Sequence, residues 1–215
     1  VFPRDPDFRV KAERVLDLYE RRWDGARLHP GEYVISADEK TQLQALSRCH
    51  PDLPPAPGRT RRQEFEYRRG GTLAYLAAYD PHAARVLGRT APTTGIAPFT
   101  DLVEQVMRAE PYASAARVFW IVDNGSSHQG PHAVLRMQAT WPTARLVHLP
   151  VHASWLNQIE IFFSIVQRKV IKPQDFADLD ELAERLLACQ GRYNTTAEPF
   201  DWRFIRRSLD RLLHR

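Results

Sequence analysis

The chain has 215 residues, enough for one domain or one domain with an appendage. Hydrophobic residues make up 43% of it, which supplies a core, and no apolar run approaches the length that spans a bilayer. Two cysteines argue against a disulfide framework or a thiolate metal site and fit a reducing cytoplasm, and a net charge of +4 is compatible with nucleic acid without requiring it.

The N-terminus, VFPRDPDF, lacks the apolar stretch of a secretory signal. Residues 8–23 have the spacing of an amphipathic helix, with Val10, Val15, Leu16, Leu18 and Tyr19 near one side and Asp24-Gly25 as its stop. Residues 33–37 form a short β-prone run that stops at Asp38, which predicts a buried strand with an acid at its end. Residues 47–63 are proline-rich and carry Arg59, Arg61 and Arg62, which predicts a basic loop. The runs EFEYRR and TLAYLAAYD flank Gly70-Gly71, a hairpin signal, and a third strand-like piece begins at residue 86.

Residues 98–109 predict a helix with Thr100 as N-cap and Leu102, Val103, Val106 and Met107 inward. Residues 118–122 repeat the earlier theme, an apolar strand followed by Asp123. A helix over 131–140 and a strand over 145–148 follow. Next, Ser154 stands at a predicted N-cap before an apolar repeat of Trp155, Ile159, Phe162, Phe163 and Val166. Glu160 then falls at the edge of the buried stripe. Residues 178–193 predict another amphipathic helix, and the tail is basic and helical, with Arg203, Arg206, Arg207, Arg211 and Arg215.

This order predicts an α/β fold with an antiparallel hairpin region and later strands joined by helical crossovers. The strands before Asp38 and Asp123 are expected to lie parallel and adjacent, bringing both acids to one sheet edge. With Glu160 they make a three-carboxylate constellation. Converging carboxylates repel, and magnesium or manganese, which favour oxygen ligands, resolve the repulsion. The histidines offer no competing zinc pattern. The opposing reading is that 26 acidic residues always allow a trio to be picked, that acids are usually solvated, and that an aspartate after a strand can simply cap a turn.

The segments ISADEK, IVDNGSSH and HLPVHASWLNQIEIFFS resemble the three acid-bearing blocks of bacterial insertion-sequence transposases related to the mariner group. Thirty-six residues separate Asp123 from Glu160, close to the spacing of that group. The resemblance runs from about residue 31 to about residue 194. It implies a DDE catalytic domain with a ribonuclease-H-like fold and a mixed five-stranded sheet. Asp38, Asp123 and Glu160 would be its catalytic acids and the ligands of two Mg²⁺ or Mn²⁺ ions. The implied activity is metal-dependent cleavage of transposon-end DNA, followed by 3′-hydroxyl strand transfer into target DNA. A homodimer on DNA and a bacterial cytoplasm are implied as well.

Neighbouring residues carry paired readings. Asn124 orients Asp123, touches DNA or makes an Asx-turn. His128 meets a phosphate or caps the next helix. Trp155 packs in the core or stacks on a base. Asn157 braces Glu160. Glu39 points to the face opposite Asp38 and is excluded as a ligand, while Lys40 shares the face of Asp38. Arg59, Arg61, Arg62, Arg168 and Lys169 are the candidate DNA-backbone contacts, against the alternative of solvated faces.

Residues 1–30 read as an N-terminal helical linker, 31–195 as the catalytic domain and 196–215 as a basic helical tail. One helix ahead of the first strand cannot make a helix-turn-helix, so that portion is expected to be missing or encoded separately. The rival readings are a catalytically silent, transposase-derived DNA-binding relic, another ribonuclease-H-like nuclease, and a carboxylate-pair glycosidase.

Overall fold

The computed structural model describes residues 5–62, 64, 66–125, 127–172 and 175–214. Helix α1 (Phe8–Tyr19) buries Phe8, Ala12, Val15, Leu16 and Leu18. Val10, expected on that face, is exposed. The helix ends earlier than predicted, because Arg21 takes a positive φ of 56° and the chain turns back. Asp24 and Gly25, both at positive φ, form the turn between β1 (Arg22–Trp23) and β2 (Ala26–Arg27). The Asp-Gly pair is thus a tight hairpin turn and not a helix stop.

The main sheet has five strands in the order β5-β4-β3-β6-β7: β3 (Glu32–Arg48), β4 (Tyr67–Asp80), β5 (Arg85–Ala91), β6 (Arg117–Val122) and β7 (Ala144–His148). β4 runs antiparallel to both β3 and β5, and β6 and β7 join in parallel. The expected mixed sheet is present, with β3 and β6 parallel neighbours. Two expectations fail at β3 and β4. Strand β3 does not stop at Asp38, because β4 supplies backbone partners from Ser36 to Arg48, whereas the ladder to β6 ends at Ser36. Gly70-Gly71 is not a hairpin turn; both glycines lie inside β4 at an irregularity of the register. Gly71 has a φ of 109°, and a Cβ there would lie 3.1 Å from Leu179. The pair therefore gives a bulge and a close approach. The hairpin is β3–β4, closed by the proline-rich loop.

Alternation along the strands separates two cores. One face carries Ile35, Ala37, Leu76, Val118, Trp120 and Val122 against α2 (Ile96–Met107) and α3 (Gly130–Thr140). Gly95 caps α2, and Thr100 lies within it, donating from Oγ1 to the Ile96 carbonyl, so it is not the N-cap. The other face carries Val34, Phe119 and Ile121 against α1, and Tyr75, Ala77 and Tyr79 against α4 (Ile159–Val166) and α5 (Leu179–Thr196). Asp178 caps α5 by accepting from Glu181 N.

The tail helix α6 (Arg206–Leu213) buries Leu209 in the α1 cluster, and Arg206 pairs with Glu13 and Asp17 of α1. Arg215 lies outside the described residues. No described helix is long and apolar enough to cross a membrane.

Candidate active site

The three acids arrive from three elements on the α4 side of the sheet or its edge. Asp38 sits in β3 opposite Ala77, two residues beyond the last pair with β6. One carboxylate oxygen accepts from Glu39 N at 2.8 Å and the other from Asn157 Nδ2 at 3.4 Å. Burial pushes the Asp38 carboxyl up to about 7, opposed by the Glu39 N–H and reinforced by the charges of Asp123, Glu160 and Glu39.

Asp123 lies just past β6. Its Oδ1 accepts from Gly125 N at 2.7 Å and bonds His128 Nε2. The His128 bond, foremost, holds this carboxyl below the usual aspartate range despite partial burial.

Glu160 is in the first turn of α4, half-buried, between Ile159 and Phe162, which pack into the core. Burial raises its pKa and Asp123 adds to the rise, while the nearby Lys40 charge opposes both. The acids are thus close enough to act on one another's ionisation. Among the described residues they do not close into a compact ligand cage, and their mutual repulsion disfavours one.

The approach to Glu160 differs from the predicted helix. Residues Ser154–Leu156 form a single 3-10 turn, Asn157 is extended, and α4 begins at Ile159. Ser154 is not an N-cap: it lies inside the turn, whose N-cap is Ala153, and Gln158 is the N-cap of α4. Trp155 is not in the core: 43% of it is exposed, and it meets the Phe204 ring edge-on. Asn157 is buried, and its side chain bonds the Ala37 carbonyl at 3.0 Å as well as Asp38. Its side chain braces the first acid, and its carbonyl accepts from Glu160 N at 3.1 Å, so it ties the two acids together.

His128 neither caps a helix nor reaches solvent; it is 1% exposed, between Ser127 and Asp123, with its ring against Phe99. Its carbonyl accepts from His148 Nε2 at 2.7 Å. Asn124 donates to the Leu149 carbonyl at 2.9 Å and ties the Asp123 loop to the end of β7; the Asx-type bond belongs to Asp123 itself. Glu39 is on the opposite face, as alternation requires, bonded by Ser127 Oγ.

A cleft of about 430 Å³ opens beside Glu160, lined by Lys40, Phe163, Ser164, Gln167, Arg168 and Lys172. Arg168 and Lys172 reach it because α4 continues into a wide π-type turn, Gln167–Ile171. Lys169 is exposed elsewhere, with its charge felt by Cys189 of α5. Arg59, Arg61 and Arg62 are exposed in the β3–β4 loop, where Arg61 pairs with Asp52 at 2.6 Å. No hydrogen bond or ion pair among the described residues joins these arginines to the acids. The sequence gives no signal for Ser127, which bonds its neighbour His128 and the remote Glu39, or for His148, which reaches the His128 carbonyl from β7.

An oxygen-only donor set, one carboxyl held near neutrality by burial and two more acids acting on it suit a hard divalent cation. The mixed five-stranded sheet with its flanking helices is that of a ribonuclease-H-like fold. A family model for the DDE superfamily endonucleases matches residues 34–183, and the chain belongs to that superfamily.

Among solved structures, the chain is similar to the Mos1 mariner paired-end complex with Mn, at 16% identity and a TM-score of 0.55, over 88% of this chain and 62% of that one. The pre-cleavage Mos1 transpososome matches at 16% identity and a TM-score of 0.51, over 89% of this chain and 64% of that one. The Mos1 strand transfer complex matches at 18% identity and a TM-score of 0.51, over 88% and 61%. The chain thus spans less than two thirds of the Mos1 chains it matches. No curated protein sequence matches.

Proposed function

We propose that this chain is the catalytic unit of a DNA transposase, which cuts transposon-end DNA and joins the freed 3′-hydroxyl to target DNA. The observation that carries the reading is the approach of Asp123 and Glu160 to Asp38, whose carboxyl both push up, with Asp123 pushing up Glu160 as well. Membership of the DDE superfamily supports it, as do structural neighbours solved as Mos1 mariner complexes.

Asp38 and Asp123 would hold one Mg²⁺ or Mn²⁺, and Glu160 would help hold a second. Two such ions, when bound, activate the attacking oxygen and stabilise the leaving one in phosphodiester chemistry. The remaining work falls to the protein. His128 and Gly125 engage Asp123 Oδ1 and leave Oδ2 for a cation. Asn157 fixes Asp38 against α4. Lys40, Arg168 and Lys172 would seat a backbone phosphate beside Glu160. Arg59, Arg61, Arg62 and Lys169 are outlying candidates for backbone contacts. Asn124 and His128 would support the site from within and not touch DNA. Two copies would bridge two DNA ends, with end recognition supplied by a helix-turn-helix portion.

The test is nicking and strand transfer on duplex DNA carrying the element's ends, with Mg²⁺ or Mn²⁺. Metal-dependent nicking that is lost in Asp38→Ala, Asp123→Ala and Glu160→Ala supports the proposal. Nicking that survives all three changes sinks it. Salt-sensitive DNA binding with no nicking would favour a silent relic.

A further inference from the structure

The hydroxyl of Tyr19, a half-buried residue at the end of α1, is fully used. It donates to the Leu156 carbonyl at 2.8 Å, accepts from Gln158 N at 3.2 Å and lies 3.1 Å from Ser36 Oγ. A phenol has one proton to give and two lone pairs, so these three partners saturate it. The partners belong to the two elements that carry acids. Ser36 is two residues before Asp38 on the same face of β3, where side chains alternate. Leu156 and Gln158 flank Asn157, which bonds Asp38, and Gln158 stands two residues before Glu160. Residues 156–158 lead from the 3-10 turn into α4; Leu156 N and Asn157 N bond back into the turn and the Asn157 and Gln158 carbonyls bond forward into α4, while the Leu156 carbonyl and Gln158 N–H take the Tyr19 hydroxyl as partner. Residue 19 also precedes the stretch that matches the superfamily, which begins at residue 34.

We propose that α1 is a working part of the catalytic unit and that Tyr19 is a positioning residue whose hydroxyl latches residues 156–158 to β3, keeping Asn157 and Glu160 in register with Asp38. The inference rests on the proposed role of the three acids. Its physical basis is that a cation site tolerates little error in the placement of its carboxylates, and outer partners supply that accuracy.

Tyr19→Phe deletes the hydroxyl and keeps the ring, which meets Trp202 edge-on at 5.4 Å. The variant should fold, bind Mn²⁺ about tenfold more weakly and nick DNA with a kcat lowered about tenfold at nearly unchanged KM. In metal-free protein, amide exchange at Gln158 and Glu160 should rise about tenfold, with exchange in the β6 core unchanged. Unaltered Mn²⁺ affinity and kcat in the variant would overturn the proposal. If the wild-type protein neither binds Mn²⁺ nor nicks DNA, the role of the acids fails, and amide exchange alone judges the latch: a local rise sustains it and no rise overturns it. If Tyr19→Phe does not fold, Ser36→Ala, which removes one of the three partners, is measured in the same ways, with changes of about threefold expected and no change overturning the latch.

Discussion

Asp38 and Asp123 follow nearly the same sequence pattern, an apolar β run and then an acid, yet the structure gives them opposite electrostatics. Asp38 remains within β3 because β4 runs alongside it, and it lies beneath Asn157 and α4. Burial carries it up to about 7. Asp123 leaves the sheet where β6 ends and finds two donors in its own loop, Gly125 N and His128 Nε2, with the His128 bond chiefly keeping it ionised. An acid's charge state is therefore set by its partner strand and the turn after it, and not by the run before it. The difference is also useful. With one carboxyl readily protonated and the other ionised, two neighbouring acids are tolerable without a cation between them.

The strongest way to break this comparison is to delete the acids. Asp38→Ala, Asp123→Ala and Glu160→Ala should each lower metal-dependent nicking by roughly 10³, read as single-turnover rates on duplex DNA.

A smaller effect sharpens the contrast through pH. The Asp38 pKa is raised on folding, so the folded state binds more protons than the unfolded chain between about 4 and about 7. Metal-free stability should fall across that window as pH rises, by an amount on the order of a few kcal/mol from this group. Asp38→Asn should remove that component, which denaturant unfolding at pH 5 and pH 8, about two conditions on either side of the midpoint, would read as a smaller difference than in the wild type. An identical pH dependence in both proteins would contradict the burial account.

Asp123 predicts the reverse sign. Its pKa is depressed, so its contribution is present above the unfolded value and lost as pH falls through the folded one. His128→Gln should move the Asp123 carboxyl titration upward in NMR while leaving that of Asp38 in place. The smallest effect concerns the strand that sets Asp38 apart. Gly71→Ala forces a side chain into a φ of 109° and against Leu179, and should cost about 1–3 kcal/mol in unfolding free energy. Asp123 should titrate as before.

Much of the site was legible in the sequence. The two β runs, the apolar stripe of Ile159, Phe162, Phe163 and Val166 and the edge position of Glu160 follow from periodicity alone, and all four apolar residues are buried. The parallel pairing of β3 with β6 follows from the helical connection between them. What was not legible depended on long-range partners. Nothing local shows that β3 continues past Asp38, because its ladder comes from β4 across a long loop. Gly70-Gly71 carries the composition of a turn, and only the approach of Leu179 makes it a bulge. Trp155 fits the helical stripe on paper but sits in a 3-10 turn, which rotates it outward. Asn157 does bond Glu160, through its carbonyl, but its side-chain bond to Asp38 across the fold was not legible, and Tyr19 gave no signal beyond an amphipathic helix.

The central claim is that Asp38, Asp123 and Glu160 together hold a divalent cation. The most direct test is the unfolding temperature of the protein titrated with Mn²⁺ at pH 8, beside Asp38→Asn, Asp123→Asn and Glu160→Gln. The account predicts a saturable rise in the wild type, as for any ligand that binds only the folded state, and its loss or marked weakening in each variant. A wild type that does not respond, or a rise of the same size in all three variants, would contradict it.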